Sequence, residues 1–532
     1  MHLLKGLLLA FVIWSSCCVS PLNAQKKNPK PYADFITVDR LKKHLSAIAH
    51  DSMMGRETGT AGQRMAAAYI QKQYQQMGLR HPDGLPDFQQ YYPLNQDSLI
   101  QSDLRINELP LTFGKDYYLP IRTCVSQKVG ATGIVFVGYG IDDPVYSDYT
   151  NRYVRGKVVL IVDGEPYQKG NYLISGYNYP SEWSTDFQKK QEAAFNNGAV
   201  AVLCVDPVYG TISKSTAEWN RKTDLGFSSM QQQATDRCNI AVISKSVFKQ
   251  LVGANAESIL DMGKKKQPLH EVAFESTNVT VSYFVEKWSA DINASNVIGL
   301  VEGSDKKNEY LFVTAHYDHL GVRNGKIYNG ADDDGSGTCA IMLMAEAFAK
   351  AKKEGNGPRR TIVFMAVSGE EKGLWGSEYY TDHPLFPLEK TTADLNIDMI
   401  GRVDTERKKS DTLNYVYVVG HDKISSELPI VNEGANNQYT KLTLDYKFDD
   451  PNDPERIYFR SDHYNFARYD VPVLFFYDGM LKGDYHKPTD DVEKIYWPLY
   501  EKRTRMIFYT AWEMANREDL LKRDLPKIMI IR

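Results

Sequence analysis

The hydrophobic pattern divides this chain into regions of different texture. Over 38–50 and 60–77 apolar residues recur at helical spacing. The second stretch carries Ala66, Ala67, Ala68, Ile70 and Tyr74 and is stopped by Gly78, so both regions are expected as helices. Residues 83–130 read as mixed and turn-rich. The runs 131–140 (ATGIVFVGYG) and 156–164 (GKVVLIVDG) are continuously apolar and bounded by glycines, the pattern of buried strands. A helix is expected over 187–197, leading into a strand at 199–205. A strand at 239–244 is followed by a short helix to 252, and the Lys-rich segment to about 269 reads as a surface loop. After about 291 the texture becomes strand–helix alternation. Strands are expected at 310–315, 361–367, 394–397, 414–419 and 471–476, with amphipathic helices at 336–352 and 499–515. Such alternation argues for an α/β sheet, interrupted by a β-rich insert at roughly 110–285.

The amino terminus follows a different logic. Met1–Lys5 is short and basic, residues 6–14 are apolar, and a small, polar stretch ends at Leu22-Asn23-Ala24. This is the layout of a secretory signal peptide cleaved after Ala24. The apolar run is shorter than the ~20 residues that span a bilayer. Cys17 and Cys18 follow it, and a lipid anchor on Cys17 is the other reading, although Trp14-Ser15-Ser16-Cys17 is a poor lipobox. No later stretch approaches the apolar length of a membrane span, so the exported chain is expected to have none and to reside in the periplasm or outside the cell.

With 532 residues, two to four domains are expected. Hydrophobic residues at 42% and charged residues at 24% are ordinary globular usage, so extensive disorder is excluded. Lys and Arg number 63 against 67 Asp and Glu, a net charge of −4, which leaves no basic footprint for nucleic acid. Beyond the leader the cysteines are Cys124, Cys204, Cys238 and Cys339. They make no disulfide scaffold and contain no C-x-x-C pair, which argues against cysteine-based zinc or redox chemistry. A single bridge such as Cys204–Cys238 stays open.

The candidate chemistry lies at predicted strand ends. His316 ends a buried strand in Thr314-Ala315-His316-Tyr317-Asp318-His319. Asp318, two residues on, shares its face and could fix the tautomer of a metal-bound imidazole. Asp332-Asp333-Asp334 in Gly330–Gly337 packs adjacent carboxylates among small residues, an arrangement that needs solvent or a cation. Its spacing does not match an EF-hand. Glu370-Glu371 follows the strand 361–367 directly; one carboxylate can bind a metal while its neighbour faces the reacting water. Asp398 ends another apolar strand, and Tyr485-His486 lies soon after the strand 471–476. Each motif alone is ordinary. Together they form a nitrogen and oxygen donor set suited to zinc and larger than one ion needs.

In this order the motifs resemble those of the di-zinc exopeptidases, a family that includes secreted bacterial aminopeptidases, glutamate carboxypeptidase and the transferrin-receptor ectodomain. Gly55-Arg56-Glu57-Thr58-Gly59-Thr60 resembles the family's N-terminal peptidase segment. Residues 131–206 and 239–252 resemble an inserted protease-associated domain, and Ser295-Asn296-Val297-Ile298-Gly299 the re-entry into the peptidase domain. The resemblance implies a mixed central sheet flanked by helices, with peptidase segments at 25–109 and 286–532 around an insert at 110–285. It implies two zinc ions, one held by His316 and Asp398, the other by Glu371 and His486, with Asp333 bridging. The register of Asp333 is set by Ser336-Gly337. It further implies Glu370 as general base, Asp318 behind His316, Tyr485 as oxyanion donor and Arg460, in Arg460-Ser461-Asp462-His463, as a substrate contact. The expected activity is that of an aminopeptidase on peptide substrates. A carboxypeptidase or dipeptidase of the same family is the nearest alternative; a glutaminyl cyclotransferase and a non-catalytic receptor-like protein are more distant ones.

Overall fold

A computed structural model of the chain describes residues 28–209, 211–213, 215–216, 224–227 and 237–526. The leader expected over 1–24, with Cys17 and Cys18, lies outside the described residues.

The apolar runs of the second half become neighbouring strands. Lys306–His316 lies between Arg360–Val367 and Thr391–Ile397 and is parallel to both. Thr391–Ile397 is in turn parallel to Val473–Tyr477. Tyr415–Val419 and Glu275–Val301 add antiparallel neighbours, so the sheet is mixed. Every residue of Arg360–Val367 is buried, and the strand lacks polar alternation because both its faces are covered. Ile362, Phe364 and Ala366 pack with residues of the helices Gly335–Lys353 and Trp497–Asn516. Val363, Met365 and Val367 pack on the other face with Tyr380 and Phe466, from the helices Trp375–Asp382 and His463–Arg468.

Local chemistry sets the helix ends. Asp334 caps Gly335–Lys353 by accepting the Gly337 N–H at 2.7 Å, while Lys350, Lys352 and Lys353 sit in the last turn, where they complement the helix dipole. Ala61–Met77 ends at Gly78, whose φ of 77° is the left-handed C-cap that glycine adopts most easily.

A second core gathers residues between Leu104 and Val285. Its strands Gln127–Phe136, Val158–Val162, Ala201–Val205 and Ile240–Ile243 are mutually parallel. Two expectations need correction. The segment 83–130 is not merely turn-rich: it contains an 18-residue strand, Gln89–Ile106. This strand pairs antiparallel with Glu275–Val301, a strand of 27 residues. The resulting ribbon joins both halves into one fifteen-stranded sheet among the described residues. The Lys-rich stretch before 269 is not a loop but contains the helix Ala256–Lys264, which buries Ile259 and Leu260 while Lys264 faces solvent. Cys124, Cys204, Cys238 and Cys339 are buried free thiols, so the bridge left open between Cys204 and Cys238 is not formed. Among the described residues no helix is long and apolar enough to cross a membrane.

Candidate metal centre

The carboxyl ends of the parallel strands converge on one point, the usual ligand position of an open α/β sheet. His316 is the last residue of Lys306–His316, Glu370 and Glu371 form the turn after Arg360–Val367, and Asp398 follows Thr391–Ile397. Asp333 leads into the helix Gly335–Lys353, and Tyr485 and His486 lie on the loop beyond Val473–Tyr477.

Asp333 stands in the middle. Its Oδ1 is 3.2 Å from His316 Nε2, and its Oδ2 is 3.3 Å from His486 Nε2. On the first side Asp398 Oδ1 lies 3.6 Å from His316 Nε2. On the second Glu371 Oε2 lies 3.0 Å from His486 Nε2. Asp334 also comes near His316 and Asp398, but its Oδ1 already accepts the backbone N–H groups of Gly337 and Met399. Asp333 reaches both histidines. His316 Nε2, His319 Nδ1, Asp333 Oδ2 and Glu371 Oε1 are all buried without an aligned hydrogen-bond partner. Each such orphan costs about 1–3 kcal/mol, so donors of this kind converging on one point fit bound cations.

The two neighbouring glutamates are electrostatically opposite. Burial raises Glu370 well above the usual carboxylate range, with Glu371 and Asp398 adding to the shift against the pull of His316. Burial and Asp333 push Glu371 the same way, but contacts to His319 and His486 prevail and bring it down to about 2. Burial lowers His486, yet Asp333 and Glu371 overcome this and raise it to about 10. Their surroundings thus drive the two neighbouring carboxyls in opposite directions.

Behind these groups is a layer that fixes them. His316 Nδ1 is 3.1 Å from the Asp318 carbonyl and 3.7 Å from its carboxylate. The imidazole thus meets the backbone of Asp318 more closely than the side chain expected from the sequence. The Asp318 carboxylate instead takes the Thr58 hydroxyl at 2.6 Å and the Glu370 N–H at 3.3 Å. Thr58 also receives the Gly369 N–H at 3.0 Å, tying the glutamate turn to the N-terminal segment. Ser461 donates to Asp398 Oδ2 at 2.7 Å. Asp490 accepts the N–H groups of Asp332 and Asp333. Arg56, fully buried, donates to the carbonyls of Tyr317, Ile48, Asn329 and Gly330. Sequence reasoning gave no role to His319, Asp490, Ser461 or Arg56 individually. Only the motif frames around them were a signal.

A pocket opens beside the first side of the centre. Asp333, Glu370 and Asp398 line it, with Met399, Ile457, Phe475, Tyr477 and Leu481 as its apolar wall and Arg460 and Tyr485 completing it. Arg460 donates to the Tyr485 hydroxyl at 3.2 Å, and the Tyr485 ring stacks on His486 at 3.8 Å. A separate group, His421, Asp422 and Asp449, could also hold a cation. There Lys423 Nζ already lies 2.7 Å from Asp422 and 3.1 Å from Asp449, supplying the positive charge.

Comparison with known proteins finds relatives among the metallopeptidases. Residues 296–511 match the model of peptidase family M28. A probable zinc metalloprotease of Leptosphaeria maculans is 28% identical over 202 residues, 37% of this chain and 44% of that protein. Aminopeptidase YwaD of Bacillus subtilis is 33% identical over 232 residues, 42% of this chain and 46% of that protein. The chain thus spans less than half the length of these relatives. The solved structure of an aminopeptidase from Aneurinibacillus sp. strain AM-1 shares the fold, with a TM-score of 0.54 at 16% identity, over 94% of this chain and 99% of that one. The match to peptidase family M28 is carried by the second half of the chain.

Proposed function

We propose that this chain is a zinc-dependent exopeptidase that removes residues from the amino terminus of peptides. The observation that carries the reading is Asp333 set between His316 and His486, with Asp398 and Glu371 on either side and Glu370 beside them. His316 and Asp398 would hold one zinc, Glu371 and His486 the other, and Asp333 both. Bound there, the metals would lower the pKa of a water molecule and polarise the scissile carbonyl. Glu370 accepts a proton from the attacking water and returns it to the leaving amine, a role worth about 10²–10⁴-fold. The Tyr485 hydroxyl donates to the developing oxyanion. The apolar wall from Met399 to Leu481 receives the terminal side chain. The relatives named zinc metalloprotease and aminopeptidase support the metal and the reaction class.

Arg460 in the pocket wall favours one further reading, a carboxypeptidase that grips a terminal carboxylate. Purified protein assayed on free, N-blocked and C-amidated peptides separates the two. An aminopeptidase cleaves the free and C-amidated sets and rejects the N-blocked set, and the opposite pattern would replace the first reading. The protein would act after export, with residues 1–24 removed. Residues 110–285 would form a protease-associated unit beside the substrate cleft.

A further inference from the structure

His319 belongs to none of the roles above, yet it is fully buried at the centre. Its Nδ1 lies 2.8 Å from Glu371 Oε1 and 3.8 Å from Asp333 Oδ2. Despite the short distance to Glu371, neither ring nitrogen makes an aligned hydrogen bond. Gly330 packs against the ring: a Cβ there would lie 2.5 Å from its Cγ and Cδ2, so the chain approaches the imidazole as only glycine can. His319, Asp333 and Glu371 have donor atoms close enough together to share one cation.

We propose that His319 is a further protein ligand, closing the second metal position together with Glu371, His486 and Asp333. The inference rests on the two-metal reading above and makes the two positions unequal. The first has His316, Asp398 and Asp333, and its carboxylates Asp333 and Asp398 line the pocket. The second adds His319, and none of His319, Glu371 and His486 lines that pocket. A position filled by four protein donors has the character of a structural zinc site, whereas an open position serves chemistry. The second ion therefore anchors the glutamate turn to the His486 loop, and the first faces substrate.

The test is metal content during graded dialysis against a chelator, for the full chain and His319→Ala, with thermal unfolding of the metal-free and zinc-loaded forms. Wild type should release one zinc readily and retain the other. His319→Ala should lose the retained zinc with at least tenfold weaker binding and gain less stability from zinc, while its metal-free unfolding temperature stays near wild type. A side chain that merely fills space would instead lower metal-free stability and leave zinc retention unchanged, overturning the proposal. Should the alanine variant fail to fold, His319→Asn carries the same comparison, keeping a polar side chain without the imidazole. If wild type itself binds fewer than two ions in excess zinc, the two-metal reading fails and the proposal with it. If both proteins bind two ions with the same chelator profile, the role of His319 alone fails.

Discussion

Glu370 and Glu371 are adjacent and chemically identical, so any difference between them comes from what each carboxylate faces. Glu371 lies within 3.0 Å of both His319 and His486. Glu370 approaches His316 only to 3.9 Å, and its N–H is held by Asp318. Glu371→Gln should therefore weaken zinc occupancy and lose activity through that loss. Glu370→Gln should keep both metals while turnover falls by at least ~10²–10⁴-fold, because the amide cannot accept the proton. Zinc content and turnover measured on the same preparations decide the matter, and the reverse pattern would exchange the roles. His316, Glu371 and Asp398 were legible in the sequence because each ends or follows an apolar strand, and strand ends are where an α/β sheet gathers chemistry. Asp490, Ser461 and Arg56 were not legible in the same way. Their partners are carbonyls and N–H groups far along the chain, and no local pattern announces such a contact.

At the scale of elements, the helix Val38–Ile48 carries a titratable group on its packed face. His44 is buried and its Nδ1 lies 2.9 Å from the Tyr69 hydroxyl, across from the helix Ala61–Met77. Burial pulls its pKa down to about 4, with Lys43 and Arg40 reinforcing the shift and Glu346 opposing it. The unfolded chain, with an imidazole near 6.5, takes up the proton first as the pH falls. His44 therefore costs nothing above pH 6.5 and removes stability between about 6.5 and 4, at about 1.4 kcal/mol per pH unit. His44→Gln, which stays neutral and can still reach Tyr69, should flatten that part of the curve. Denaturant melts of both proteins at pH 7 and 4.5 should differ in their pH-dependent loss by about 2–3 kcal/mol, and parallel losses would refute the assignment. The same two helices were readable from apolar spacing, as was the glycine stop at Gly78. The ribbon Gln89–Ile106 with Glu275–Val301 was not. Its strands carry many polar residues at half-exposed positions, and their pairing spans nearly two hundred intervening positions that no sequence window contains.

The whole molecule links its two halves at the Glu370–Glu371 turn. The strand Asp224–Phe227 pairs with residues 94–97 of the ribbon. Phe227 stacks on Tyr92 at 5.7 Å and meets the edge of Trp375 at 6.0 Å. Tyr92 reaches the Ser368 carbonyl at 3.0 Å, and Trp375 opens the helix that follows the Glu370–Glu371 turn. A small apolar cluster of Tyr92, Leu94, Phe227, Ala294 and Trp375 thus braces that turn. The change of texture in the sequence led to the expectation of an insert at 110–285, but the contact of Phe227 with Tyr92 and Trp375 was not legible, because it depends on side chains brought together only by the folded ribbon. Phe227→Ala should loosen the brace without removing a metal ligand. Displacing a catalytic group by about 1 Å can cost 10²-fold, so turnover should drop by roughly 10- to 100-fold with zinc content unchanged. Assaying dipeptides beside longer peptides adds a second readout. If the insert also walls the cleft, the penalty should differ with substrate length; a uniform fall would confine its role to bracing the turn. Unchanged turnover on every length would show that Phe227 and the Glu370–Glu371 turn are mechanically independent.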